Sequence, residues 1–339
     1  MSLKKYVSKV SSMLSTLDNP RFFIYRCFHY INRYMPVSPA KSMAKKNVRA
    51  YAKQGFGELR VSTYDGSDQS VHPDITRWKD QYYLAVTPYP YGMEEYENPC
   101  VYRSADMEAF NPVGAQPLAF PKKHHYGCHL SDPCILVFQD RLTCFYRESE
   151  RITGGEISTV WMTQYDESTD SWGAPKEVIS STEDLLLSPA MVVSAEGNCS
   201  VFHVNSAGEL QLSELDSDCR MCNSRTVSCE DLPEGYAPWH IAVVYKETMD
   251  KQQSNSEELL GLFLLRSASA CQNPFRLYLA SSEGLGKPWK MEREICWSDE
   301  IQQSMMHPYK SCFIPGTQRL LLSFRDARDR YRLTILSDL

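Results

Sequence analysis

The chain has 339 residues, 42% of them hydrophobic and 23% charged, with a mean hydropathy of −0.41 and a formal charge of −6. That length buries a substantial core. No run reaches the 18 or more apolar residues of a membrane span, and no secretory h-region opens the chain.

The charge is unevenly spread. Residues 1–54 hold eleven Lys and Arg against one acid, Asp18, so this arm carries +10 and the remainder −16. From Arg21 to Met35, Phe23, Cys27, Tyr30, Ile31 and Tyr34 recur at helical spacing between Arg21, Arg26 and Arg33. Asn19-Pro20 supplies a helix cap and a first-turn proline. A short N-terminal helical arm with its linker is therefore expected over residues 1–57. Its basic, aromatic character suits two roles, packing on the protein's own body or peripheral contact with an anionic membrane surface through residues 1–54. The body lacks the signatures of nucleic-acid binding, so none is expected.

From residue 58 onward the chain reads as short strands separated by turns. Gln81 to Val86 and Cys100 to Ser104 follow a Lys79-Asp80 turn and a Tyr/Pro loop holding Glu97 and Asn98. Pro133 to Phe138, a Gln139-Asp140 turn, Leu142 to Arg147 and Ser158 to Tyr165 repeat the pattern. Met191 to Val193, Cys199 to Val204 and Leu210 to Glu214 form a third set. Ile241 to Tyr245, Leu259 to Leu265 and Arg276 to Ser281 form a fourth. Lys310 to Ile314, Leu320 to Phe324 and Tyr331 to Leu336 form a fifth. Arg60 to Thr63 is a candidate strand to close the last set.

A proline-centred phrase opens each set: His72-Pro73-Asp74, Ser131-Asp132-Pro133, Leu187-Ser188-Pro189, Ala237-Pro238-Trp239-His240 and Met306-His307-Pro308-Tyr309-Lys310. Its prolines are 49 to 70 residues apart, the length of one four-stranded blade. The expectation is an all-β, five-bladed β-propeller over residues 58–339.

The first strand of each blade lines the axis, so the phrases converge on one pocket. This nominates His72, Asp74, Asp132, Ser188, Trp239, His240, His307, Tyr309 and Lys310, with Arg147, Glu148 and Arg266 from second strands. Glu97 and Asn98 reach toward the rim, as does His129 from the run His124-His125-Tyr126-Gly127-Cys128-His129. Acids, imidazoles and cations among Trp and Tyr suit a polyhydroxylated ligand, so a carbohydrate is the expected partner. No cofactor or metal is expected. The adjacent histidines cannot all face one ion, and Cys219, Cys222 and Cys229 lack a fourth zinc ligand. The twelve cysteines are scattered, and Cys134, Cys144, Cys199 and Cys312 fall inside strands as reduced core residues, which fits a cytoplasmic setting with or without membrane contact.

The His-Pro-Asp, Ser-Asp-Pro and Trp-His phrases resemble the five-bladed propeller glycosidases of the arabinanase and β-xylosidase type. The segment Ser104-Ala-Asp-Met-Glu-Ala-Phe110 is similar to one in their first blade. The resemblance implies inverting hydrolysis between two carboxyl groups. It places the base at Asp74, with Asp132 a second carboxylate in blade two. Where those enzymes carry a third-blade Asp this chain has Ser188, and where they carry a fourth-blade Glu it has Trp239-His240. Proton donation then falls to His240, His307 or Glu148. A glycan-active enzyme, a non-catalytic carbohydrate-binding propeller and an interaction scaffold all stay open on the sequence.

Overall fold

The computed structural model describes residues 57–121, 127–246, 257–267, 274–296, 305–326 and 330–337. The expected arm helix lies outside them. Within them the chain folds into five antiparallel sheets, with two single-turn 3-10 segments and no α-helix. No helix among the described residues is long and apolar enough to cross a membrane.

Blade one is β2 (Ser70–Trp78), β3 (Gln81–Pro88), β4 (Cys100–Ser104) and β5 (Asn111–Pro112). Blade two is β6 (Cys128–Phe138), β7 (Arg141–Ile152), β8 (Gly155–Asp166) and β10 (Lys176–Ser181), with β9 (Ser171–Trp172) hung on β8. Blade three is β11 (Leu187–Val193), β12 (Cys199–Val204), β13 (Leu210–Leu215) and β14 (Met221–Val227). Blade four is β16 (Tyr236–Tyr245), β17 (Leu259–Ser267), β18 (Phe275–Ser282) and β19 (Trp289–Glu294), with β15 (Cys229–Glu230) parallel to β19. Blade five is β20 (Met305–Phe313), β21 (Arg319–Asp326) and β22 (Tyr331–Ser337).

The ring closes through β1 (Gly57–Leu59), which pairs antiparallel with β22, Glu58 opposite Thr334. The closing strand thus precedes the expected Arg60–Thr63 and begins inside what reads as linker. An ion pair from Arg332 to Glu58 reinforces it. The expected turns are tight hairpins. Lys79-Asp80 and Gln139-Asp140 each place two consecutive residues in the left-handed region, as a type I′ turn requires.

The recurrent phrase proves to be a β-bulge. Pairing of the innermost strand with its neighbour slips between Val71 and Asp74, Ser131 and Cys134, Leu187 and Ala190, Pro238 and His240, and Pro308 and Ser311. A proline has no amide to donate, so a strand tolerates it at a bulge or on an edge, and here it has both. In the first three blades the residue before the proline is left-handed, with φ of 52° at His72, 50° at Asp132 and 51° at Ser188. That backbone is costly outside glycine and is held by the surrounding packing.

Innermost strands are also sheet edges, so some of their amides face away from any ladder. Neighbouring blades satisfy these. The Ile135 amide donates to Asp74 Oδ2 at 2.6 Å and the Met191 amide to Cys134 Sγ at 3.4 Å. The Ile241 amide donates to Ser188 Oγ at 3.0 Å, and that hydroxyl donates back to the Ile241 carbonyl at 3.1 Å. These bonds latch blade one to two, two to three and three to four. Apolar packing between blades completes the ring, for example Phe202 and Phe263 against Trp289. Cys134, Cys144, Cys199 and Cys312 are buried free thiols inside it.

Ser188→Ala removes the blade three–four latch and leaves a buried amide and carbonyl unpaired. The expected cost is about 1–3 kcal/mol in a urea or guanidinium titration. An unchanged midpoint would show the latch to be dispensable.

Candidate functional site

Asp132 is the centre of the site. The bulge turns its carboxylate inward from β6, where it has no exposure to solvent. Ser131 Oγ donates to Oδ2 at 3.2 Å, and Arg147 Nε, from β7, donates to the same oxygen at 3.2 Å. Arg147 is itself held by Ser131 Oγ and by Glu156 at 3.3 Å. The other oxygen, Oδ1, faces His72 Nε2 at 3.5 Å, His240 Nδ1 at 3.4 Å and Lys310 Nζ at 3.8 Å. None of these three meets Oδ1 in hydrogen-bonding geometry. Blades one, two, four and five thus meet at one carboxylate.

Burial alone would push Asp132 toward its neutral form. The field of His72, His240 and Lys310 overcomes this and holds its pKa well below the ordinary carboxylate range. Burial, however, also drives His72 well below the usual imidazole value and lowers His240. Two neutral rings cannot supply the countercharge, so we assign it to Lys310 and Arg147. His72 Nδ1 lies 2.8 Å from Thr87 Oγ1, and its Nε2 faces Asp132. Neither ring nitrogen of His240 has a hydrogen-bond partner.

A second buried carboxyl stands nearby. Glu97 is almost wholly buried, with Oε2 3.3 Å from His129 Nε2. Burial, then the charges of Asp132 and Glu94, raise its pKa well above the usual value, with Arg147 opposing. Burial and the Arg147 charge press His129 down to about 3. The two carboxyls are therefore driven in opposite directions, Asp132 toward its ionised form and Glu97 toward its neutral form.

Above the ionic cluster is an aromatic shelf. Trp239, the extra residue of the blade-four bulge, stacks on Phe275 with centroids 5.0 Å apart and lies 4.5 Å from His240. Phe275 continues to His307 at 4.6 Å, and the Arg266 guanidinium lies over Trp239 at 5.1 Å. Tyr309 contacts His72, His240 and Trp239 and leads to Tyr89 and Tyr331.

Other expected residues fall elsewhere. Asp74 turns to the opposite side of the bulge ring, into an axial cavity of about 310 Å³ with Lys310, Cys134 and Cys312. Its carboxylate accepts the Ile135 amide, and burial raises its pKa while Lys310 opposes. Ser188 is occupied by the blade-four backbone. Glu148 follows Arg147 on β7 and so projects to the other face of the blade, where Trp161 Nε1 donates to it at 2.8 Å. Asn98 donates to the Tyr64 hydroxyl at 2.8 Å. The Ser104–Phe110 segment is a turn in which Ser104 and Asp106 accept backbone amides.

Thr87, Glu156, Phe275, Tyr89 and Tyr331 belong to the site and carry no motif, while Ser131 lies inside the second phrase. Thr87 was within reach of register counting, since Thr87 opposes Val71 and Arg147 opposes Ser131, one residue before the left-handed position in each blade.

His72, Asp132 and His240 bring one ligand atom each within 4.8 Å of one another, a donor set that suits a transition metal. The Lys310 ammonium faces the same Asp132 oxygen and Arg147 holds the other, so two cations already compensate the charge a metal would need. The donor set alone argues for a metal, and its surroundings argue against one.

No family model matches the chain, and no characterised protein matches it by sequence. Its fold, in contrast, matches many solved structures. An N-acetylgalactosamine deacetylase from F. plautii, solved with blood group B trisaccharide, superposes with a TM-score of 0.60 at 17% identity, covering 83% of this chain and 94% of that one. A GH43 endo-arabinanase from Bacillus licheniformis gives 0.58 at 17%, covering 80% and 94%. The α-L-arabinanase from Cellvibrio cellulosa with arabinohexaose gives 0.56 at 16%, covering 79% and 91%. At these identities the likeness is one of fold, the five-bladed propeller that the resemblance implies.

The buried histidines make a pH prediction. A free imidazole titrates near 6.5, whereas burial holds His129 at about 3 and His203 at about 4 and lowers His72, His240 and His307. Below pH 6.5 the unfolded chain takes up protons that the folded chain refuses, so each histidine costs stability as pH falls, about 1.4 kcal/mol per unit. The raised carboxyls Glu97 and Asp74 act in the opposite sense but are fewer. Thermal midpoints should therefore fall from pH 6.5 to 5, and His203→Gln should flatten the slope.

Proposed function

We propose that the protein is a glycan-active enzyme whose reaction takes place at the end of the axis where the aromatic shelf meets Asp132. One observation carries this reading: the buried His240 stands between the Asp132 carboxylate, 3.4 Å from its Nδ1, and a surface of stacked rings. The half-buried Trp239 and Phe275 border the site with aromatic surface against which a sugar can pack. Asp132 orients His240, which then accepts a proton from water or a sugar hydroxyl. Glu97 holds the complementary proton. Carboxyl groups kept in opposite states are the arrangement by which acid and base roles divide. The acid–base role falls to Asp132 and His240, because the Asp74 carboxylate is engaged by a backbone amide on the other side of the bulge. Two of the solved structures of this fold are complexes with sugars, a trisaccharide and arabinohexaose, which supports a carbohydrate ligand here.

A second reading, a non-catalytic carbohydrate-binding propeller, is favoured by Ser188. It stands where the resemblance implies an auxiliary carboxylate, and its hydroxyl serves only the blade-four backbone.

Incubation with a panel of oligosaccharides, read by mass spectrometry, separates the two. The enzyme reading expects products, and His240→Gln should lower kcat by about 10²–10⁴ with little change in KM. An undiminished kcat would remove His240 from the chemistry. A thermal midpoint raised by oligosaccharide without product would select the binding reading. Trp239→Ala should weaken binding under both by roughly tenfold or more.

A further inference from the structure

In each blade one residue of the second strand stands opposite the innermost strand one or two places before the proline of the phrase. In blade one this is Thr87, opposite Val71, and in blade three Val204, opposite Leu187. In the other three it is an arginine: Arg147 opposite Ser131, Arg266 opposite Ala237 and Arg325 opposite His307. Ala237 and His307 stand one place before the proline where Ser131 stands two, so the three arginines lie on neighbouring rungs, directed toward the same end of the axis. The occupants of blades one and two show that direction, since Thr87 meets His72 and Arg147 meets Asp132.

The three arginines differ in what they meet. Arg147 is consumed by Asp132 and Glu156. Arg266 is exposed and lies over Trp239, with no carboxylate of a described residue in ion-pair reach. Arg325 lies over Tyr331 at 6.0 Å, on the far side of Tyr309 from Trp239, and its charge helps to lower His307. Set over the Trp239 ring, the Arg266 guanidinium keeps N–H groups for a carboxylate, which it can meet bidentately. The nearby carboxylates Asp326 and Glu294 are engaged by Arg330 with Arg332 and by Arg276. A chain of net charge −6 thus presents, beside its aromatic shelf, an arginine held ready for an anion.

We propose that the glycan bears a carboxylate, as a uronic-acid type sugar does, and that Arg266 receives it at the edge of the Trp239 shelf, with Arg325 flanking the other side of the aromatic patch. This rests on the glycan reading above and names its substrate class. Stacking fixes the sugar ring, and the paired N–H groups fix which edge faces His240.

The test uses matched pairs: uronic-acid oligosaccharides, their carboxyl-reduced counterparts and sulfated analogues, screened on an array and then titrated by calorimetry with the full chain. The acidic member of a bound pair should bind roughly ten- to a hundredfold more tightly than its reduced partner. Arg266→Gln, checked for an unchanged thermal midpoint, should bring that ratio below about threefold, and Arg266→Lys should restore part of it. Equal binding of the two members overturns the inference and leaves the glycan reading intact. Tighter binding of sulfated analogues than of uronic acids overturns the carboxylate assignment. Binding of no oligosaccharide overturns the glycan reading, and this inference with it.

Discussion

A β-propeller exposes the free edge of its innermost strands to its own axis, and every amide on that edge needs an acceptor. In blades two, three and four the need is met twice at the phrase. A proline removes one donor, and a side chain of the preceding blade accepts another. Asp74, Cys134 and Ser188 serve in that way, tying blades one to four together. The site is made of what remains. Asp132, His72 and His240 hold places in the same bulges but satisfy no backbone group across a blade boundary, so their polar atoms are left to one another and to a ligand. Fold and chemistry thus draw on one short list of positions.

The charge balance of the cluster follows from the same constraint. An ionised carboxylate without solvent needs nearby cations, and Arg147 and Lys310 reach it from blades two and five. Replacing either would leave a buried charge uncompensated, which is far costlier than losing a surface pair. Because the two cations suffice, burial is free to keep both histidines neutral. A neutral imidazole can take up a proton, whereas one already titrated by Asp132 could not.

Much of the architecture was legible in the sequence, because strand runs, hairpin turns and the proline phrase are local signals. Lys79-Asp80 and Gln139-Asp140 turn where expected, and the blade boundaries follow the prolines. The closing strand was displaced to Gly57–Leu59, since its pairing with β22 is set by the distant Leu333–Ile335 and not by its own composition. The site was legible in membership more than in direction. Asp74 and Asp132 look alike as letters next to a proline, yet one follows it and one precedes it. Across a bulge that difference turns the first into the axial cavity and the second toward His240. Glu148 could have been excluded by alternation alone, given Arg147 beside it. Thr87, Glu156 and Phe275 carry no motif and become visible only once register is known.

The junction of β1 with β22 gives blade five material from both ends of the described chain. His72 and Lys310, which face Asp132 from opposite sides, therefore come together only when the ring has shut. A chain still emerging from the ribosome would hold Asp132 and Arg147 early, but would lack Lys310 until blade five is made. Assembly of the site and completion of the fold are the same event.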